Sequence, residues 1–83
     1  MTVEEKEMIE YILRRIRKPS LTIDENTPLV SSGLVDSMAL GDLVLTLEDL
    51  THKRIPPGMM KPKDLDTVAK MFATAARVGK PQK

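Results

Sequence analysis

Ile9, Ile12, Leu13 and Ile16 recur at spacings of three and four among the charged residues of 3–18. That single apolar stripe predicts an amphipathic helix. Thr2 and Glu5 have the spacing of a capping box at its start. Arg14, Arg15, Arg17 and Lys18 suit its negative end, and Pro19 lies just past the stop. From 19 to 36 the period is lost, broken by Pro19, Ser20, Asn26, Pro28, Ser31, Ser32 and Gly33. A connection of this length in a small domain is uncommon unless it is functional. Its apolar residues, Leu21, Ile23, Leu29, Val30, Leu34 and Val35, predict a crossover pinned across the helices.

Periodicity returns in a second helix, predicted from Asp36 or Ser37 to about Thr51, with Asp36 as N-cap. Leu40, Leu43, Val44, Leu47 and Leu50 form its core stripe. Gly41 costs roughly 1 kcal/mol against Ala and implies either close packing or simple tolerance. Pro56, Pro57 and Gly58 permit only a short helical turn around Met59 and Met60. A last helix is predicted from Asp66 as N-cap, with Val68, Met71, Phe72 and Ala75 inward and Gly79 and Pro81 ending it. No strand pattern competes. The expected fold is all-α: a four-helix bundle of three longer helices and one short one, with a long first loop. Residues 1–78 form its single domain and 79–83 a flexible basic tail.

Composition narrows the function classes. The chain has 83 residues, 41% of them hydrophobic and 30% charged, which fits one compact domain. Tyr11 and Phe72 are its only aromatics, which disfavours base-stacking nucleic-acid modules. Without cysteine there is no disulfide framework, thiolate metal site or thiol nucleophile. His52 is the single histidine, so no His-rich zinc site is expected and no metal site is assigned. No apolar run approaches about 18 residues and the start is acidic, so a cytoplasmic chain without membrane insertion is expected.

The formal charge of +1 is unevenly distributed. Residues 19–50 hold Asp24, Glu25, Asp36, Asp42, Glu48 and Asp49 and no Lys or Arg. Residues 51–83 hold eight bases against Asp64 and Asp66. An acidic middle third suits a basic partner. At about 100° per residue, Met38, Asp42, Leu45 and Asp49 fall opposite the core stripe of the second helix, with Glu48 at the edge. Two apolar side chains beside carboxylates resemble a small docking strip. Packing of Met38 and Leu45 under the long loop is the competing reading. The scattered cations Lys61, Lys63, Lys70 and Arg77, beside an acidic helix, do not suit DNA.

Gly33-Leu34-Val35-Asp36-Ser37-Met38 is the most informative run. With Leu47-Glu48, Ile55-Pro56 and Thr67-Val68, it makes residues 3–77 resemble an acyl carrier protein, a phosphopantetheine-binding carrier. The resemblance implies that Ser37 carries a covalent 4′-phosphopantetheine arm, with Asp36 capping the helix beside it. A phosphodiester there would meet the free N–H groups of a helix start. Ile-Pro standing 18 residues past the serine makes the pattern specific. Gly33, four residues before Ser37, and the GLVDSM wording are similar to D-alanyl and other free-standing specialised carriers. Thr51 stands where the family often has an aromatic, and Ala39 where its recognition helix is acidic.

The resemblance implies a non-enzymatic phosphoprotein carrying acyl or aminoacyl groups as thioesters, in fatty acid, lipid or another dedicated biosynthesis. A phosphopantetheinyl transferase, using coenzyme A and magnesium, would install the arm, and a ligase or synthase would load it. Met38, Asp42, Leu45, Glu48 and Asp49 are the expected partner-binding residues of a monomer. The alternative is a non-catalytic helical interaction module without a prosthetic group, which would share the strip but not need Ser37.

Overall fold

A computed structural model describes residues 1–56 and 58–82. Three α-helices, α1 (Val3–Arg15), α2 (Leu40–Thr51) and α3 (Val68–Val78), pack against one another pairwise. Two 3₁₀ turns, Ser37–Ala39 and Pro62–Leu65, precede α2 and α3. A ribbon of β1 (Lys53–Arg54) and β2 (Lys80–Pro81) completes the described fold.

The α1 start forms as expected. The Glu5 amide donates to Thr2 Oγ1 at 3.0 Å, and the Thr2 amide donates to Glu5 Oε1 at 2.8 Å. The buried stripe keeps Ile9 and Ile12 and is rotated from its sequence reading toward Met8. Met8, Ile9 and Ile12 are buried, while Leu13 and Ile16 are only partly covered. Ile16 falls beyond the last helical residue, where Arg17 turns the chain at φ 61°.

The long connection belongs to the core. Leu29 is completely buried, and Ile23 and Val35 are nearly so. Each such side chain contributes on the order of 1.5–3 kcal/mol of hydrophobic stabilisation. Leu21, expected among the pinning residues, instead lies on the surface. Leu40, Leu43 and Leu47 of α2 and Val68, Met71 and Ala75 of α3 close the core, with Val44, Leu50 and Phe72 packed at its margin.

Four expectations are corrected. Met59 and Met60 are not helical, and the Met59 amide donates to the Pro56 carbonyl at 3.2 Å. The short fourth element lies later, as the Pro62–Leu65 3₁₀ turn, so the described architecture is three α-helices rather than four. Pro57, one of the expected breakers, falls outside the described residues. The N-cap of α3 is Thr67, whose hydroxyl accepts the Lys70 amide at 3.0 Å. Asp66 turns its carboxylate to the long loop instead. The α-helix of the second segment begins at Leu40, because its first turn is the tighter 3₁₀ type.

The segment read as strandless tail pairs with the residues after α2. Lys53 lies opposite Pro81 and Arg54 opposite Lys80, antiparallel. His52, in the left-handed conformation at φ 55°, ends α2 and turns the chain into this ribbon. Two residues per strand are too few to show alternation in the sequence. Gly79 makes the pairing possible. A Cβ there would meet the Ala75 carbonyl oxygen at 2.5 Å and the Lys53 side chain at 3.0 Å.

Gly41 has the opposite character, since nothing lies within 4 Å of where its Cβ would stand. It is tolerated rather than required. In urea unfolding, Gly79→Ala should lower stability by roughly 1–3 kcal/mol, because backbone must move. Gly41→Ala should raise it by up to about 1 kcal/mol. A neutral Gly79→Ala would contradict the close approach of α3 and β1.

Candidate functional site

Ser37 follows the long connection directly, so whatever fixes that connection fixes the serine. One carboxylate does most of this. Asp66 Oδ1 accepts the Val30 and Ser31 amides, both at 2.8 Å, and its Oδ2 accepts the Ser31 hydroxyl at 2.9 Å. Its backbone carbonyl accepts the Leu29 amide at 2.7 Å, and Glu25 O accepts the Ala69 amide at 2.9 Å. Four loop residues are thus bound to the start of α3. Gly33, at φ 83°, closes the Val30–Gly33 turn in the left-handed region that glycine adopts without strain. The Val35 amide then returns to Leu29 O at 2.9 Å and buries its side chain.

Beyond Val35 the chain surfaces. Asp36 takes extended backbone angles and its Oδ1 accepts the Ala39 amide at 3.0 Å, the N-cap expected from the sequence. Ser37 is exposed, and its hydroxyl makes no hydrogen bond among the described residues. The neighbouring hydroxyls are committed: Ser31 to Asp66 and Ser32 to Pro28 O at 2.6 Å. A hollow of about 190 Å³ beside Ser37 is lined by Arg15, Ile16, Leu34, Asp36 and Ala39. These residues suit a tethered phosphodiester: the serine is exposed, its hydroxyl makes no hydrogen bond among the described residues, and Arg15 lines the adjoining hollow.

The outward strip of α2 divides into two groups. Met38 is 85% exposed and Leu45 61%, so neither packs under the loop, and Asp49 is exposed with them. Asp42 and Glu48 have duties within the fold. Asp42 Oδ2 accepts Arg15 Nε at 3.2 Å, joining the end of α1 to the first turn of α2. Glu48 Oε2 accepts the Ile55 amide at 2.7 Å and secures the chain after β1. Asp36, Ser37, Met38, Leu45 and Asp49 therefore form one open surface, with Asp42 at its paired edge.

Sequence reasoning missed Arg15 and misassigned Asp66. A helix-terminal arginine gives no signal of its distant partner. Asp66-Thr67 offers two adjacent capping residues, and only packing selects the second. A separate hollow of about 390 Å³, floored by Leu50, Phe72 and Ala76, lies at the far end of α2, on the order of 20 Å from Ser37. Among the described residues, no helix is long and apolar enough to cross a membrane. No protein-family model, curated protein or solved structure matches the chain.

The Asp66 carboxyl is held below its ordinary value, chiefly by the Ser31 backbone N–H, with the Ser31 hydroxyl and the Val30 and Leu29 amides adding to it against desolvation. The folded chain binds this proton less readily than the unfolded chain. The resulting stabilisation is fully present above about pH 4, where an unfolded aspartate is ionised, and is lost as pH falls through the lower folded value. Asp66→Asn should therefore show a shallower loss of stability than wild type on acidification below about pH 4. Parallel curves would contradict the clamp.

Substitutions on α2 should separate surface from fold. Leu45→Ala should leave the unfolding free energy in urea within about 0.5 kcal/mol of wild type. Glu48→Ala should cost about 1.5–3 kcal/mol by releasing the Ile55 amide. A destabilising Leu45→Ala would mean that the strip is buried.

Proposed function

We propose that this chain is a non-catalytic carrier that holds acyl or aminoacyl groups on a 4′-phosphopantetheine arm attached to Ser37. The observation that carries this reading is the placement of Ser37: an exposed hydroxyl without an internal partner, at the end of an anchored loop and the start of a helical segment. The GLVDSM run and the Ile55-Pro56 step resemble the same family. The finer architecture belongs to the proposal as well, with the Pro62–Leu65 turn standing where a carrier bundle has its short helix. When bound, the arm supplies a terminal thiol for a thioester, chemistry that a cysteine-free chain does not have.

The chain's own residues perform three tasks in this scheme. Asp36 fixes the turn that bears the serine, Asp66 fixes the loop before it, and the Met38, Leu45 and Asp49 surface receives partners beside the arm. Those partners are a phosphopantetheinyl transferase, drawing on coenzyme A, and a ligase or synthase of a dedicated biosynthetic pathway. Rim charges such as Asp49 act mainly on association rate and salt dependence, and buried apolar contacts on dissociation. We place the carrier in the cytoplasm as a monomer.

Incubated with a broad-specificity transferase and coenzyme A, wild type should gain one arm by intact mass and Ser37→Ala none. Helical content should match in the two proteins. Modification that persists in Ser37→Ala would overturn the reading. A folded wild type that never gains mass would favour the helical interaction module.

A further inference from the structure

Residues 19–50 contain no Lys or Arg, so any cation near Ser37 must come from another part of the chain. The fold delivers one. Arg15, in the last turn of α1, lines the hollow that Asp36 and Ala39 also line, and Ser37 lies between those two in the chain. Its side chain is 43% exposed. Only Nε is engaged, to Asp42 Oδ2 at 3.2 Å, and the two terminal nitrogens make no hydrogen bond among the described residues. A guanidinium presents five N–H donors in a planar fork suited to phosphate oxygens. Four of those five donors are unused among the described residues.

The charges around it are unbalanced. Asp36 lines the hollow, its Oδ1 accepting the Ala39 amide, and Asp42 holds the Arg15 guanidinium at Nε. A phosphodiester on Ser37 would add a negative charge beside Asp36 and Asp42, and Arg15 is the one basic residue lining the hollow among the described residues. Charge-assisted bonds from arginine to phosphate are roughly twice as strong as neutral ones. Resting on the carrier reading, we propose that Arg15 is the anchoring residue for the root of the arm, sharing its guanidinium between Asp42 and the phosphodiester on Ser37. The arm then leaves the protein along the α1–α2 junction rather than freely from the tip of the turn.

The test follows the Arg15 side chain directly. In protein carrying ¹⁵N-arginine, the Nε–H signals of Arg14, Arg15, Arg17, Arg54 and Arg77 are recorded before and after transferase treatment. Arg15→Lys identifies the Arg15 signal by its loss, and intact mass confirms attachment. The Arg15 signal should move on attachment, the other four should stay, and Ser37→Ala treated identically should show no movement. Asp42→Asn, which removes the competing charge, should enlarge the movement. The ³¹P resonance of the attached diester should also differ between wild type and Arg15→Gln, with Arg15→Ala substituting if Arg15→Gln fails to fold. Attachment by mass with an unmoved Arg15 signal, or with an unchanged ³¹P resonance, overturns the inference and leaves the carrier reading standing. Absence of any mass gain overturns the carrier reading, and the anchoring role with it.

Discussion

The Asp66 carboxylate is the constraint on which the rest of this fold depends. A connection of some twenty residues has no ladder of its own to satisfy its amides, and an unpaired buried amide costs about as much as a lost hydrogen bond. Asp66 accepts two of those amides and a hydroxyl, and its carbonyl accepts a third amide. With these groups paired, Leu29 can occupy the centre of the core and Val35 can follow it inward. The loop then acts as a fourth wall of the three-helix core. Ser37 emerges from that wall at a defined point, with the segments before and after it both held.

The same economy explains the division of the acidic residues. A strip of alternating apolar and acidic side chains on α2 looks uniform by angle alone. In the fold, Asp42 and Glu48 are drawn into contacts with Arg15 and Ile55, while Asp49, Met38 and Leu45 stay open. Charge in the sequence therefore overstates the unpaired charge of this face, since Asp42 is half exposed but already paired. The face that stays open and unpaired is smaller and more apolar than the run of acids suggests.

Long-period features were legible in the sequence and short-range choices were not. The Thr2–Glu5 capping box, the Asp36 N-cap, the α2 stripe and the outward position of Met38 and Leu45 rest on helical geometry, which spacing reports directly. Thr67 against Asp66 as N-cap was a choice between neighbours, decided by a loop more than thirty residues away. The β1–β2 ribbon was hidden for a related reason: two residues per strand carry no period, and its permission comes from the missing side chain of Gly79 against Ala75 and Lys53. Of the candidate site, Ser37 and Asp36 were marked by local wording, whereas Arg15 reaches the adjoining hollow only through the packing of α1 on α2.

Four serines, Ser20, Ser31, Ser32 and Ser37, lie in a stretch between Lys18 and Lys53 that contains no Lys or Arg. Trypsin leaves all four on one peptide, so fragmentation within that peptide discriminates among them. The most direct measurement is fragment-resolved mass spectrometry of this peptide, from protein purified out of cells that express a phosphopantetheinyl transferase. The account predicts an arm on Ser37 alone, because the Ser31 and Ser32 hydroxyls are committed to Asp66 and Pro28. An arm on Ser20, Ser31 or Ser32, or a peptide found only unmodified, would contradict it.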